Sequence, residues 1–261
     1  MPHGQRGGGP LGFAASKGDC PLLKRFVSLL SGLSLGLVST GAFAHIGTNG
    51  PVFAGKTVKV VFTVGHGCEG ADTLSLAMQV PAGVTGVRPI PGGFGKASVV
   101  KDAMGNVTSV TWSRPETDLG ASDDNAYEVA LRVRIPDAPF TTLYFPTVQT
   151  CKSAAGVVST ASWVGTGGGD HQHGVDAGVA PAAPEPAPAV QVLPARMPGW
   201  NKYTLTQHVH DLPVFFSDAQ IVWSGSAAWS PNPDIQALVP SEPNTTALTE
   251  LHPGAVIWVR Y

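Results

Sequence analysis

The sequence predicts an all-β chain, an antiparallel β-sandwich followed by a second, small β-rich module. Three observations carry that expectation. Apolar residues recur at every second position in several short runs, the periodicity of half-buried strands. The runs are separated by turn signals at hairpin spacing, such as Pro81-Ala82-Gly83 and Gly105-Asn106. Glycine (32) and proline (23) are abundant and only 13% of residues are charged, a composition that favours strands and turns over long helices.

In chain order, the first 44 residues read as a signal peptide. Lys24-Arg25 precede an apolar run from Phe26 to Val38, and small residues lead to Ala42-Phe43-Ala44. The run is broken by Ser31, Gly32, Ser34 and Gly36 and is short for a membrane span of about 20 residues. Cleavage after Ala44 makes His45 the first residue of the mature chain and predicts export to the periplasm or the cell exterior. The leader carries Arg6, Lys17, Lys24 and Arg25 against Asp19, so the net charge of −2 becomes about −5 without it. That balance argues against a nucleic-acid partner, which usually requires a basic patch.

The strands follow. Val58, Val60, Phe62 and Val64 share one parity, with Lys59 and Thr63 on the other. Leu74, Leu76, Met78 and Val80 repeat the pattern, and Ser109-Val110-Thr111-Trp112 follows the next turn. Tyr127, Val129, Leu131, Val133 and Ile135 alternate most cleanly, and Leu143–Val148 and Val157–Val164 complete a set of sandwich strands spanning residues 45–165. Cys20 departs with the leader, which leaves Cys68 and Cys151 to form a disulfide in an oxidising compartment. Neither has a second cysteine at the short spacing of a zinc site. Residues 166–194 read as a Gly/Pro/Ala-rich linker, and 195–261 as a Trp-rich β module holding Trp200, Trp223, Trp229 and Trp258. Those tryptophans are expected mainly to fill its core, with a stacking face for cell-wall glycan as the alternative.

An N-terminal histidine offers an α-amine and an imidazole to one metal ion, and both lose their protons near neutral pH when a metal binds. The ordered motifs Ala44-His45-Ile46, Gly65-His66-Gly67-Cys68-Glu69-Gly70, Val80-Pro81-Ala82-Gly83-Val84, Val110-Thr111-Trp112, Tyr127-Glu128-Val129 and Ser162-Trp163-Val164-Gly165 resemble the YcnI-like family of exported bacterial domains. The resemblance implies a fibronectin- or cupredoxin-like sandwich and one Cu(II) held by a one-histidine brace. Carried over by position, it implies His45 as the brace, Glu128 as the carboxylate ligand and Trp163 as the tryptophan beside the metal. Two nitrogens and an oxygen suit Cu(II), whereas an indole N–H only donates, so Trp163 is expected to cover the ion rather than bind it. Taken singly, Glu128 reads as a surface carboxylate and Trp163 as core.

His66 and the linker pair His171 and His173 are accessory metal candidates, and His208 and His210 show the same i, i+2 spacing without further support. No nucleophile elbow, phosphate loop or helical Glu-flanked histidine pair is present. The sequence therefore predicts copper trafficking or storage rather than catalysis, with a copper chaperone or membrane copper importer as partner. A surface-binding protein whose sandwich is purely structural is the alternative. Oxidative polysaccharide cleavage ranks last, since no second brace histidine is identifiable.

Overall fold

A computed structural model describes residues 46–166 and 185–261. The expected leader (residues 1–44), His45, His171 and His173 lie outside the described residues. In chain order, the first module contains β1 (Gly47–Thr48), β2 (Val52–Phe53), β3 (Thr57–Val64), β4 (Asp72–Gln79), β5 (Thr85–Ile90), β6 (Lys96–Lys101), β7 (Val107–Ser113), β8 (Tyr127–Arg134), β9 (Thr141–Tyr144), β10 (Thr147–Lys152) and β11 (Val158–Gly165). It continues through β12 (Glu185–Pro186) and β13 (Ala189–Leu193).

Two sheets face each other across one core. A four-stranded sheet has the order β1-β3-β8-β5 and a six-stranded sheet the order β12-β11-β10-β4-β7-β6. Val60, Phe62, Val64, Val129, Leu131 and Val133 point inward from the first sheet and meet Leu76, Met78, Val110, Trp112 and Trp163 from the second. This is the expected all-β sandwich. The inward parity of β3 and β8 matches the apolar alternation read from the sequence, while Lys59, Thr63, Glu128, Arg132 and Arg134 are exposed. Phe62 packs edge-on against Phe145 with ring centroids 5.0 Å apart, an arrangement that aromatic quadrupoles favour.

The expected linker is corrected over its C-terminal part. β12 runs parallel to β11, with Trp163 level with Glu185. β13 lies between β2 and β9 as the middle strand of a three-stranded sheet. Val190 and Val192 are fully buried in the sandwich core. A two-residue apolar period drives that burial, and Pro186 and Pro188 flank β13 rather than interrupting its ladder, as proline's missing N–H requires.

The C-terminal module contains β14 (Trp200–Thr204), α1 (Leu212–Phe216), β15 (Ile221–Ser224), β16 (Ala227–Trp229), α2 (Pro233–Leu238), β17 (Thr246–Ala247) and β18 (Val256–Arg260). Its sheet has the order β14-β18-β15-β16-β17. The tryptophans do not fill its core. Leu205, Val209, Leu212, Phe216, Val222, Leu251, Ile257 and Val259 do, with Trp229 packed partly against them. Trp200 and Trp258 are 48% and 47% exposed. Strand parity explains the difference: Val222, Ile257 and Val259 take the inner face of β15 and β18, so Trp223 and Trp258 take the outer one.

The two modules share apolar packing. Phe140, between β8 and β9, is buried in the C-terminal core against Phe216 and Tyr203, with ring centroids at 5.5 and 5.6 Å. Leu193, the last residue of β13, joins the same cluster.

Candidate metal site

The chain that follows His45 is held in place from the first described residue. Ile46 is 5% exposed and belongs to the sandwich core. Gly47 and Thr48 pair with Thr63 and Phe62 of β3. The Thr48 hydroxyl donates to the Ala189 carbonyl at 2.9 Å, and the Val61 N–H donates to Asn49 Oδ1 at 3.0 Å. Burial of Ile46 and these bonds fix the point at which the chain enters the sheet.

Glu128 lies on the same sheet. It is level with Thr63, which is level with Gly47, so the three form one row across β8, β3 and β1. All directly opposed residues of a sheet point to one face, and each member of this row lies toward solvent. Two interstrand spacings separate Gly47 from Glu128, about 10 Å.

Trp163 sits apart from that row, in β11 of the opposite sheet. It is 5% exposed, and its indole N–H donates to Gln149 Oε1 at 3.1 Å. Gln149 is itself buried, and its amide donates to the His66 carbonyl at 2.8 Å and to Thr73 Oγ1 at 2.9 Å. The hydrogen-bonding role of Gln149 is absent from the sequence reading, yet a signal exists. Once Cys151 is placed inward, period two sends Gln149 and Thr147 inward with it and leaves Val148 outside.

His66 is partly buried, with Nδ1 2.5 Å from the Gly67 carbonyl. Its loop positions the disulfide. Cys68 and Ala71 exchange backbone bonds around Glu69 and Gly70, both with positive φ (51° and 77°), the turn geometry of a tight hairpin. Gly67 allows the close approach, because a Cβ there would lie 1.8 Å from the Ala71 carbonyl oxygen. Cys68 and Cys151 form a disulfide with Cα atoms 5.7 Å apart, joining this loop to β10.

A buried charge network braces the start of β8. Asp72 accepts from the Gly120 N–H at 2.6 Å, the Thr73 N–H at 2.8 Å and the Tyr127 hydroxyl at 2.8 Å, and pairs with the Arg114 guanidinium. Burial pushes its carboxyl upward, but the Gly120 N–H, Tyr127 hydroxyl and Arg114 together outweigh burial and hold it below the ordinary carboxylate value. Arg114 also lies over the Tyr127 ring at 4.4 Å. Burial, followed by the bond to Asp72, raises the Tyr127 phenol above its ordinary value.

Among the described residues, no group of three His, Cys, Asp or Glu side chains is arranged to hold a metal ion. Glu128 supplies an accessible oxygen, and the nitrogens of the expected brace belong to His45. The two residues suit copper by donor chemistry: nitrogen and carboxylate oxygen are ligands Cu(II) accepts in tetragonal geometry.

A family model described as a domain of unknown function, DUF1775, matches residues 48–192. The chain belongs to the DUF1775 family. The DUF1775 match runs through most of β13 and ends before the C-terminal module, in agreement with the extent of the sandwich. Among solved structures, an uncharacterised protein from Nocardia farcinica with an immunoglobulin-like fold is 23% identical, covers 57% of this chain and 97% of its own, and has a TM-score of 0.41. A cohesin, ScaC of Acetivibrio cellulolyticus, solved with the ScaB dockerin, is 16% identical over 57% of this chain and 96% of its own, with a TM-score of 0.32. No curated protein matches the DUF1775 chain. Among the described residues, no helix is long and apolar enough to cross a membrane.

Proposed function

We propose that this chain is an exported Cu(II)-binding protein that holds one ion through a one-histidine brace, serving copper trafficking, storage or homeostasis. The resemblance to YcnI-like domains supplies the ligand set. The observation that carries the reading is the row Gly47–Thr63–Glu128, which sets the proposed carboxylate ligand on the same outer face as the strand that begins two residues after His45. In this reading His45 gives the amine and imidazole nitrogens and Glu128 an oxygen. Trp163 is not a ligand in this reading: it is buried in the opposite sheet and bonded to Gln149, away from the outer face that carries Glu128. One brace histidine serves binding rather than oxidative chemistry, and the ion would pass to or from a copper chaperone or membrane importer.

The test is a comparison of three chains. Protein beginning at His45 is expected to bind one Cu(II) with nitrogen hyperfine structure in its electron paramagnetic resonance spectrum. The same protein with one added N-terminal residue, or carrying Glu128→Gln, is expected to bind at least tenfold more weakly. Equal affinity in all three would refute the brace.

A specific observation favours a second reading, that the C-terminal module binds cell-wall glycan. Trp200, Trp223 and Trp258 line a shallow hollow of about 490 Å³ with Gly225. Lys202, Trp258 and Trp223 form one cross-strand row, and Lys202 Nζ stands 5.7 Å from the Trp258 ring. Adjacent exposed indoles offer apolar faces for sugar rings, with a cation at the edge for acidic groups. Retention of the protein on peptidoglycan, lost in Trp258→Ala, is the expected result; equal retention of both would remove this reading.

A further inference from the structure

Three of the chain's eight histidines meet at one place in the C-terminal module. The cause is an isolated antiparallel bridge. Val209 and Leu251 exchange two backbone hydrogen bonds, each 2.9 Å, and both side chains are 1% exposed. With Val209 and Leu251 turned inward, their chain neighbours turn outward, and the antiparallel register sets His208 against His252 and His210 against Glu250. Four polar side chains thus share one small exposed surface.

The four side chains touch one another: a histidine–histidine contact within hydrogen-bond distance, two histidine–carboxylate contacts and a ring stack. His208 Nδ1 and His252 Nδ1 are 3.1 Å apart. Two nitrogens bound to one metal at 2.0–2.1 Å are separated by about 2.9 Å at a right angle and about 3.4 Å at the tetrahedral angle, so the observed separation falls within the range that a shared ion requires. The other nitrogen of His252 faces a carboxylate, Nε2 to Glu250 Oε1 at 3.5 Å. A carboxylate behind the distal nitrogen is the usual means of orienting a metal-binding imidazole and raising its basicity. Glu250 Oε2 lies 3.1 Å from His210 Nδ1, and the His210 ring stacks on that of His208 with centroids 5.5 Å apart and planes 4° from parallel.

We infer that His208, His210, Glu250 and His252 form a second metal site, built on two converging imidazoles and selective for a divalent transition ion such as Zn(II). The quartet does not yet surround a point with three donors. Binding is completed when the exposed His210, or the Glu250 carboxylate itself, turns onto an ion held by His208 and His252; their side chains are 72% and 45% exposed and are free to do so. Every residue lies outside the 48–192 family span, so this site stands or falls separately from the proposed copper brace.

The experiment uses the full exported chain with one added N-terminal residue to block the brace and with His171→Ala and His173→Ala to remove the linker histidines. Zn(II) titration calorimetry, with metal content measured after gel filtration, is expected to show one equivalent bound. His208→Ala combined with His252→Ala should weaken binding at least tenfold, and Glu250→Gln by a smaller factor. His66→Ala should leave binding unchanged. Zinc absorption-edge spectroscopy should report nitrogen and oxygen neighbours including at least two imidazoles. All four side chains are exposed, so the variants should melt as the unsubstituted chain does without metal. No stoichiometric zinc in the parent chain, or unchanged affinity in the double variant, would overturn the assignment.

Discussion

Replacing Asp72 by asparagine should be among the most damaging isosteric changes available to the sandwich. The carboxylate is 1% exposed and satisfies four groups: the Thr73 and Gly120 N–H groups, the Tyr127 hydroxyl and the Arg114 guanidinium. Asparagine keeps one acceptor oxygen and turns an NH2 group toward donors on the other side. It also leaves the Arg114 cation, whose side chain is only 8% exposed, without its counter-charge. Breaking a buried pair from one side costs about 3–5 kcal/mol, a large share of a typical stability of about 5–15 kcal/mol. With a urea dependence of about 2 kcal/mol per molar, the unfolding midpoint should fall by about 2 M. The cost should also depend on pH. The fold holds the Asp72 carboxyl below its ordinary value, so its contribution is complete above about pH 4 and is lost as pH falls through the lower folded value. The gap between the parent and Asp72→Asn should therefore narrow in acid. Urea titrations of both proteins from neutral pH into the acid range measure this. A neutral-pH cost under about 1 kcal/mol, or a gap that stays constant into strong acid, would refute the account.

Replacing Cys68 and Cys151 together by serine opens a loop with a sequence separation of 83 and should cost about 4.5 kcal/mol on the chain-entropy account; denaturant unfolding of oxidised and substituted protein gives the value directly. Phe140→Ala should cost about 3–5 kcal/mol, because the ring is 2% exposed and packs between the modules. Calorimetry should show the parent melting in one transition, with the variant melting lower; two transitions in the parent would show that Phe140 does not couple the modules.

The sandwich was legible wherever one strand face is buried and the other wet. β3 and β8 announce themselves through valines and aromatics alternating with Lys59, Thr63, Arg132 and Arg134, because burial and sequence share the two-residue period. β13 was hidden by its surroundings. Val190 and Val192 carry the alternation, but the preceding alanines and prolines resemble a spacer, and only contacts with β2 and β9 distant in sequence make that stretch a strand. β6 leaves no sequence signal for the opposite reason: all six residues of this edge strand are exposed, so it shows no inward face. Residue type alone puts the tryptophans of β15 and β18 in the core, because it reports size and not direction; the register of Val222, Ile257 and Val259 decides which way each indole faces. Of the proposed copper ligands, Glu128 was legible only through the family motif, since an exposed carboxylate beside arginines has no intrinsic mark of function. The pairing of His208 with His252 was beyond any local reading, as 44 positions separate them and one backbone bridge brings them together.

The place of β13 changes what a break in the chain would mean. It is the middle strand of its sheet, so β2 and β9 depend on it for their pairing there, and it arrives from beyond residues 167–184. A protease cutting between β11 and β12 would yield two polypeptides but not two folded bodies. The shorter piece would remain stitched into the longer one by backbone bonds to Val52, Phe53 and Thr141–Tyr144 and by two buried valines. Such a nicked molecule would keep its shape and behave as a heterodimer made from one gene.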